Sequence, residues 1–242
     1  MDSDDSSATD ALRLTPVWDR TRPRPRRPTG LTRERIVEVS IALADAKGLD
    51  NLAMRDIAHA LGSSPMSLYR HVASKEDLID LMMDSVAAEQ DLANIPTGKW
   101  ESDLKHLGAA HRSTLLAHSW ATRPPVRPLL GPEALRRFDI ALSIFPESVP
   151  ISRRAWAVHT IDAFVRGSVA AELAERFEIE RTGIDKSQWQ QAVAPYMTRM
   201  LASGQFPHVD CFIRVEEADP EEQFQLGLEA VLGGVRNVIG QA

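Results

Sequence analysis

The sequence has almost no cysteine and no long hydrophobic run. Cys211 is the one cysteine among 242 residues, which excludes a disulfide framework and a thiolate metal cluster. No apolar stretch approaches the roughly 18 residues that a membrane-spanning helix needs. Residues 1–10 carry four aspartates and no basic residue, unlike a secretory signal. These absences predict a cytoplasmic protein that does not enter a membrane.

The sequence motifs of several common enzyme classes are also missing. The chain contains no HExxH zinc motif, no GxSxG nucleophile elbow, no phosphate-binding Walker loop and no Rossmann glycine pattern. Its Asp, Glu and His residues form no recognisable cluster at metal-ligand spacing. We therefore expect no catalysis, no cofactor and no metal ion.

Charge is distributed unevenly along the chain, although the net charge is only −6. Residues 13–80 carry 12 Lys and Arg against 9 Asp and Glu, whereas residues 81–242 carry 16 against 21. A basic N-terminal part therefore precedes an acidic remainder. An excess of positive charge favours contact with nucleic acid.

The basic character is concentrated in the segment RTRPRPRRPTG, residues 20–30, which has five arginines and no acidic residue. Such a segment can neutralise several DNA phosphates, or it can be a solvated tail rich in Pro and Arg. Its position directly before a short-helix unit favours the first interpretation. We predict a flexible arm over residues 1–30 that contacts DNA through Arg24, Arg26 and Arg27.

Helical periodicity dominates after residue 31, and we find no convincing strand alternation. Thr32 can cap a first helix, with Gly48 just past its end. A second helix begins near Met54, where apolar residues follow the spacing of one helical face, and it stops at Gly62. These signals predict two helices joined by a short connection.

Two further helix starts follow at once. Ser64 can cap a very short third helix with Pro65 at its first position, where the missing N–H costs nothing. Ser74 can cap a fourth helix extending to about Leu92. A tight turn between the second and third helices is typical of a helix-turn-helix, whose third helix here would lie in the DNA major groove.

The third helix, PMSLYRHV, has one apolar side and several polar residues. Leu68 and Val72 are four residues apart and should face the core. Its hydroxyl, imidazole and guanidinium groups can bond to phosphate oxygens, and its Pro and Met can touch apolar base edges. The residues left for the outer faces are Pro65, Met66, Ser67, Tyr69, Arg70 and His71.

The segment GLDNLAMRDIAHALGSSPMSLYRHVASKEDLIDLM resembles the DNA-binding part of the tetracycline-repressor (TetR) family of bacterial transcriptional regulators. The resemblance covers roughly residues 32–85. It implies base contacts by Arg55, Pro65 and Met66, and phosphate contacts by Ser67, Tyr69, His71 and Lys75. Together with the helix residues the predicted DNA-binding set is Arg55, Ser64, Pro65, Met66, Ser67, Tyr69, Arg70, His71 and Lys75.

The segment departs from the family pattern at two positions. Pro65 stands where the tetracycline repressor has an amide that can read a base, which implies a different operator. Ala53 stands where a hydroxyl often caps the second helix, and the loss of such a cap costs about 1 kcal/mol. Neither departure changes the DNA-binding interpretation.

The rest of the chain indicates a larger helical body. We predict an all-α protein in which the arm is followed by a helix-turn-helix DNA-binding domain, residues 31–76, and by a helical effector-binding and dimerisation domain, residues 77–242. Apolar periodicity predicts the main helices of the body at residues 100–119, 132–145, 152–178 and 220–239.

Two of these helices, 152–178 and 220–239, carry more apolar surface than one domain readily buries. Gly227 and Gly234 lie seven residues apart on the second, where they allow close helix approach despite a cost of about 1 kcal/mol each. The resemblance also implies dimerisation through late helices, so we predict a homodimer that uses both. Such a dimer would present two recognition helices about 34–36 Å apart to a near-palindromic DNA operator.

The effector site is the part of the function that the sequence indicates least. The resemblance implies a small-molecule effector that moves the fourth helix and so releases a repressor from DNA. The alternative of a helix-turn-helix protein or activator without an effector stays open. Aromatic or hydrogen-bonding residues of the body are our candidates for the pocket: His111, Trp120, Phe138, Trp156, His159 and Phe164.

Overall fold

A computed structural model describes residues 16–19, 31–123, 130–213, 215 and 219–240. Over these residues the chain is all helical, which confirms the predicted fold class. A short 3₁₀ helix, Ser119–Thr122, lies between α5 and α6. The ten α-helices in this part of the chain are α1 Arg33–Lys47, α2 Met54–Ala60, α3 Pro65–Tyr69, α4 Lys75–Ala87, α5 Trp100–Ala117, α6 Pro132–Ser143, α7 Ile151–Thr182, α8 Lys186–Ala202, α9 Pro207–Phe212 and α10 Pro220–Ile239.

The helix starts of the N-terminal part are set by the hydroxyl caps that the sequence predicts. Each cap accepts the backbone N–H of the residue three positions later, which satisfies one of the free donors at a helix N-terminus. The acceptors are Thr32 from Arg35 at 3.2 Å, Ser64 from Ser67 at 3.3 Å and Ser74 from Asp77 at 3.0 Å. Ala53 precedes α2 without a side-chain cap, as expected.

Helices α1 to α4 form the head of the molecule around a compact apolar core. α1 packs against α2 and α4, and α3 packs against α2. The predicted inward residues of α3 are both buried, Leu68 at 0% and Val72 at 1% exposure. Other buried residues of this core are Ile36, Ile41, Ala44, Leu52, Ile57, Ala58, Leu78 and Met82.

The body is built on α5, α7 and α10, which pack against one another, with α6 covering part of α7. α4 packs on both α1 and α6 and therefore connects the head to the body. No helix among the described residues is long and apolar enough to cross a membrane. The core of the body contains Leu104, Leu107, Leu115, Ile161, Val165, Val169, Leu173, Phe224, Leu228, Leu232 and Val235.

The two glycines singled out on α10 have different surroundings. A β-carbon at Gly227 would lie 2.6 Å from the ring of Phe164 on α7, so this glycine allows close packing within one subunit. At Gly234 an added β-carbon would meet nothing within 4 Å. Only Gly234 is therefore open to another molecule.

The helices differ from the sequence prediction in three places. α3 ends at Tyr69, before Arg70, His71 and Val72. α4 ends at Ala87 rather than near Leu92, because the chain turns there and packs Leu92 and Ile95 against the core. The third difference is α8 and α9, which were not predicted from the sequence. α8 begins with a capping box between Asp185 and Gln188, and neither helix buries a residue in the single subunit.

Candidate nucleic-acid interface and its connection to the body

The short helix α3 presents its outer residues to solvent. Pro65 occupies its first turn after the Ser64 cap. Met66 is 75% exposed and Tyr69 is 46% exposed, although both are large hydrophobic side chains. The burial of Leu68 fixes the rotation of the helix, and that rotation turns these side chains outward. Exposed apolar groups on a solvated surface are typical of a binding site.

The polar residues of α3 form a small hydrogen-bonded group. The guanidinium of Arg70 donates to the hydroxyl of Ser67 at 3.1 Å, and the hydroxyls of Ser64 and Ser67 lie 3.0 Å apart. His71 is half-buried beside them. This arrangement positions one guanidinium and two hydroxyls along the length of α3 and its two caps, where they can bond to phosphate oxygens.

Two predicted DNA contacts lie outside α3. The side chain of Arg55 on α2 is 85% exposed, and its Nε lies 3.4 Å from Asp56. Asp56 is bonded to Lys47 of α1, and that hydrogen bond lowers the pKa of the carboxyl group. Lys75, at the start of α4, donates to the carbonyl of Leu49 at 3.4 Å. Arg55 is thus largely exposed, whereas Lys75 is half-buried.

The predicted arm is packed against the head where it is described. Val17 is buried at 4% exposure, and its carbonyl accepts a hydrogen bond from Arg33 at 3.2 Å. Leu31, on the other side of the arginine-rich segment, is partly buried against the core. The predicted contacts Arg24, Arg26 and Arg27 lie outside the described residues.

His118, directly after α5, joins the body to the head. Its Nδ1 lies 2.9 Å from Asp45 of α1, and its Nε2 lies 2.8 Å from Glu89, just after α4. Because both ring nitrogens face carboxylates, both carry hydrogens and the ring is an imidazolium. Burial alone lowers the pKa of His118, but the hydrogen bonds to the two carboxylates outweigh it and raise the pKa above its ordinary value.

Asp84 joins α4 to the start of α6. Its Oδ1 accepts the backbone N–H groups of Glu133 at 3.0 Å and Ala134 at 2.9 Å. A carboxylate in this position satisfies free donors and interacts favourably with the helix dipole. Trp18 also bonds to Asp84. Burial nevertheless raises the pKa of the Asp84 carboxyl group above its ordinary value.

A buried polar cluster inside the body also reaches the end of α4. Arg137 of α6 donates to Asp162 of α7 through Nη1 at 3.2 Å and Nη2 at 2.7 Å. Its Nε donates to the side-chain oxygen of Gln90 at 2.7 Å. His111 of α5 lies 2.9 Å from the same carboxylate. One guanidinium therefore links the body to the chain that follows α4.

The charges of this cluster shift the pKa values of its members. Burial is the largest influence on His111 and lowers the pKa of its imidazole, although the carboxylate beside it acts in the opposite direction. Burial alone would raise the pKa of Asp162, but Arg137 and the hydrogen bonds to the carboxylate hold that pKa well below its usual range. At neutral pH the cluster therefore holds a neutral histidine and an ionised aspartate.

The six predicted effector residues are distributed over α5, the 3₁₀ helix, α6 and α7. Phe138 stacks on His159 with ring centroids 5.5 Å apart, and Phe164 stacks on Phe224 at 5.6 Å. Trp120 is buried and donates to Asp45 at 2.7 Å, whereas Trp156 is 43% exposed. His111 belongs to the polar cluster. The effector role of these residues stays a prediction.

Two cavities of the described part of the molecule have volumes of about 420 and 380 Å³. The first lies between α1 and α4 beside Trp18, and the second lies between the end of α4 and α6 beside Arg137. Neither is lined by a predicted effector residue. The described residues contain no group of three or more His, Cys, Asp or Glu side chains that could hold a metal ion.

The residues that connect head and body were not predicted from the sequence. His118 and Asp45 are separated by 73 residues in sequence, and Arg137 and Asp162 by 25. No local spacing brings such pairs together. His111 is among the predicted effector residues because its side chain can form hydrogen bonds. The charged residues around it are not among them.

Comparison with known proteins agrees with this architecture. Residues 36–82 match the family model described as bacterial regulatory proteins, tetR family, and residues 92–239 match the tetracyclin repressor-like C-terminal domain. The chain belongs to the TetR family of bacterial regulatory proteins. This confirms the resemblance, and the helix-turn-helix head is the DNA-binding part of a transcriptional regulator.

Two relatives of known name extend over nearly the whole chain. The HTH-type transcriptional repressor DrrR1 of Streptomyces coeruleorubidus is 32% identical over 238 residues, which are 96% of this chain and 87% of that protein. The tetracycline repressor protein class A from transposon 1721 of Escherichia coli is 26% identical over 222 residues, covering 88% and 97%.

Solved structures of ActR from Streptomyces coelicolor share the fold. The apo form is 26% identical, with a TM-score of 0.67 over 85% of this chain and 96% of that chain. The complex of ActR with (S)-DNPA is also 26% identical, with a TM-score of 0.65 over the same shares. The two-part architecture is therefore one found in a ligand-binding family member.

Proposed function

We propose that this protein is a repressor that binds a near-palindromic operator as a homodimer and is released by a small-molecule effector. The observation that carries the proposal is the exposed outer face of α3 on a head connected to the body by polar contacts. Repression is supported by the name of the DrrR1 relative. Effector binding is supported by the ActR complex with (S)-DNPA.

The dimer would use the outer faces of α7 and α10. In the single subunit α7 exposes Trp156 at 43% and Phe177 at 47%, and α10 exposes Leu226 at 64%. Gly234 leaves open space on the same helix. Exposed apolar surface of this extent is typical of a face covered by another molecule. A second copy is the partner that places two recognition helices on one operator.

The DNA contacts would come from the outer face of α3, from Arg55 and from the arm. Arg55, Pro65 and Met66 would touch bases, while Ser67, Tyr69 and His71 would touch phosphates. Val17 and Leu31, on either side of the arginine-rich segment, both pack against the head. Arg24, Arg26 and Arg27 would neutralise phosphates there.

The effector would act by shifting the equilibrium between two conformations of the protein. In the DNA-binding state, Asp84, Glu89 and Gln90 attach α4 and the chain after it to the body. An effector that favours another arrangement of these contacts would change the spacing of the two heads. Moving the equilibrium from 1:99 to 99:1 requires about 5.5 kcal/mol of preference for one state.

Selection of operator fragments from random duplex DNA by the purified full-length protein tests the proposal. We expect a near-palindromic site, and a competitor screen should then identify a compound that releases it. A selected site that no compound releases would instead support an effector-free DNA-binding protein. No selected site at all would contradict the DNA-binding role given to α3.

A further inference from the structure

The polar cluster of the body carries more positive than negative charge. Arg137 and Arg166 both interact with the carboxylate of Asp162, and Arg166 donates a hydrogen bond to the carbonyl of Ala121 at 2.9 Å. His111, whose pKa is lowered by burial, adds no charge at neutral pH. Among the described residues the cluster therefore has one net positive charge. A shielded charge without a counter-ion is costly.

The contact between Gln90 and Arg137 lies on the wall of the 380 Å³ cavity. This volume is in the range of small-molecule sites, roughly 300–1,000 Å³. Both residues line the cavity. Its apolar walls are formed by Ala87, Leu92, Ile95 and Ile140.

The other charged groups on this wall are already engaged or solvated. Glu133 accepts hydrogen bonds from Arg136 at 3.0 and 2.9 Å. The carboxylate of Asp91 lies on an exposed residue and accepts the N–H of Ala93 at 3.4 Å. The Nε side of Arg137 differs from both, because its partner is the uncharged amide oxygen of Gln90. A carboxylate could replace that amide with a stronger, charge-assisted hydrogen bond.

We propose that the effector is a small organic anion, a carboxylate or phenolate on a compact apolar body, that binds in this cavity. The anion replaces Gln90 as the hydrogen-bond acceptor of Arg137 Nε. The inference rests on the proposed function, because it assumes that an effector exists. The anion offsets the net positive charge of the cluster, while Asp162 keeps the other side of the guanidinium. Loss of the Gln90 contact frees the chain directly after α4. An uncharged molecule of the same shape would neither offset the positive charge nor displace Gln90 from Arg137.

Three probes with one ring system test the charge requirement: 2-naphthoate, 2-naphthamide and 2-naphthylmethylamine. Their dissociation constants with the full-length protein are measured by calorimetry near pH 7. We expect 2-naphthoate to bind about tenfold or more tightly than the amide, since hydrogen bonds to charged groups exceed neutral ones by roughly that factor. Equal binding of the three probes, tighter binding of the amine or no binding of any would overturn the proposal.

Variants of Gln90 test the site without disturbing the buried ion pair. Gln90→Glu places a built-in carboxylate against Arg137 and should weaken 2-naphthoate binding about tenfold, whereas Gln90→Ala leaves Nε free and should strengthen it. Arg176→Gln, at an exposed arginine of α7 that does not line the cavity, is the matched control and should change the affinity less than about twofold. If Gln90 only supports the structure, both variants should change the affinity for 2-naphthoate in the same direction, and that result would overturn the proposal.

The operator experiment separates this inference from the proposed function. Operator binding with no preference for 2-naphthoate would overturn the anionic site and leave the regulator intact. Tight 2-naphthoate binding that depends on Gln90, in a protein that selects no operator, would support the site and contradict the proposed repressor.

Discussion

The recognition helix and the polar cluster of the body use similar side chains in opposite settings. Directly after α3, Arg70 is exposed and bonded to a residue three positions away. In the body, Arg137 is largely buried and bonded to Asp162 and Gln90, which are 25 and 47 residues away. The exposed arginine keeps its charge available for a partner. The buried one connects helices, so its partner determines how the body is held together.

This comparison has consequences for stability and for binding. Replacing a residue of the cluster should destabilise the body, because the remaining charges stay buried without compensation. Replacing an exposed residue of α3 should leave the fold intact and change only DNA binding. Four groups of substitutions test this division, in order of decreasing expected effect.

Asp162→Asn should have the largest effect. The variant leaves Arg137 and Arg166 without their carboxylate, so we expect the free energy of unfolding to fall by about 3–5 kcal/mol. Chemical denaturation of the purified protein measures it. Asp139→Asn, an exposed acid on α6, is the control and should change stability by less than about 0.5 kcal/mol. An equal loss of unfolding free energy in both variants would contradict the stabilising role given to the buried cluster.

Leu68→Ala and Met66→Ala should separate folding from DNA contact on α3. Leu68 is fully buried, so its truncation should cost about 2–5 kcal/mol of stability. Met66 is 75% exposed, and its truncation should leave stability within about 0.5 kcal/mol while weakening operator binding. Thermal unfolding and operator affinity are measured for both. Unchanged operator affinity in the Met66 variant would remove that residue from the interface.

His118 should make stability depend on pH. Its pKa is raised in the folded protein, so the stabilisation is fully present below the unfolded pKa of about 6.5 and is lost as pH rises through the folded pKa. The wild type should therefore lose stability relative to His118→Asn as the pH rises above about 6.5. Denaturation midpoints across this range measure the difference. Parallel pH profiles would contradict the imidazolium bridge between Asp45 and Glu89.

Two capping substitutions should have the smallest effects, with opposite signs. Thr32→Ala removes the cap of α1 and should cost about 1 kcal/mol. Ala53→Ser adds a hydroxyl where α2 has no side-chain cap, so it should gain up to about 1 kcal/mol. Thermal unfolding of both variants provides the measurement. Destabilisation by Ala53→Ser would mean that the hydroxyl cannot reach the helix N-terminus.

The sequence by itself determined the head. The caps Thr32, Ser64 and Ser74 and the inward pair Leu68 and Val72 act over three or four residues, so each could be identified from its neighbours and each is found in the structure. The same local signals give the body helices α5, α6, α7 and α10. The capping box of α8, Asp185 with Gln188, is a local signal of the same kind that the prediction does not include.

Only the tertiary structure decided how the body connects to the head. His118 meets Asp45 and Glu89, and Arg137 meets Asp162 and Gln90, because helix packing brings together residues far apart in the chain. No periodicity encodes such pairs, since they depend on the relative placement of whole helices. Gly227 shows the same limit. From the sequence, this glycine could allow close packing against a helix of the same subunit or against a second subunit. The position of Phe164 shows that the packing is within the subunit.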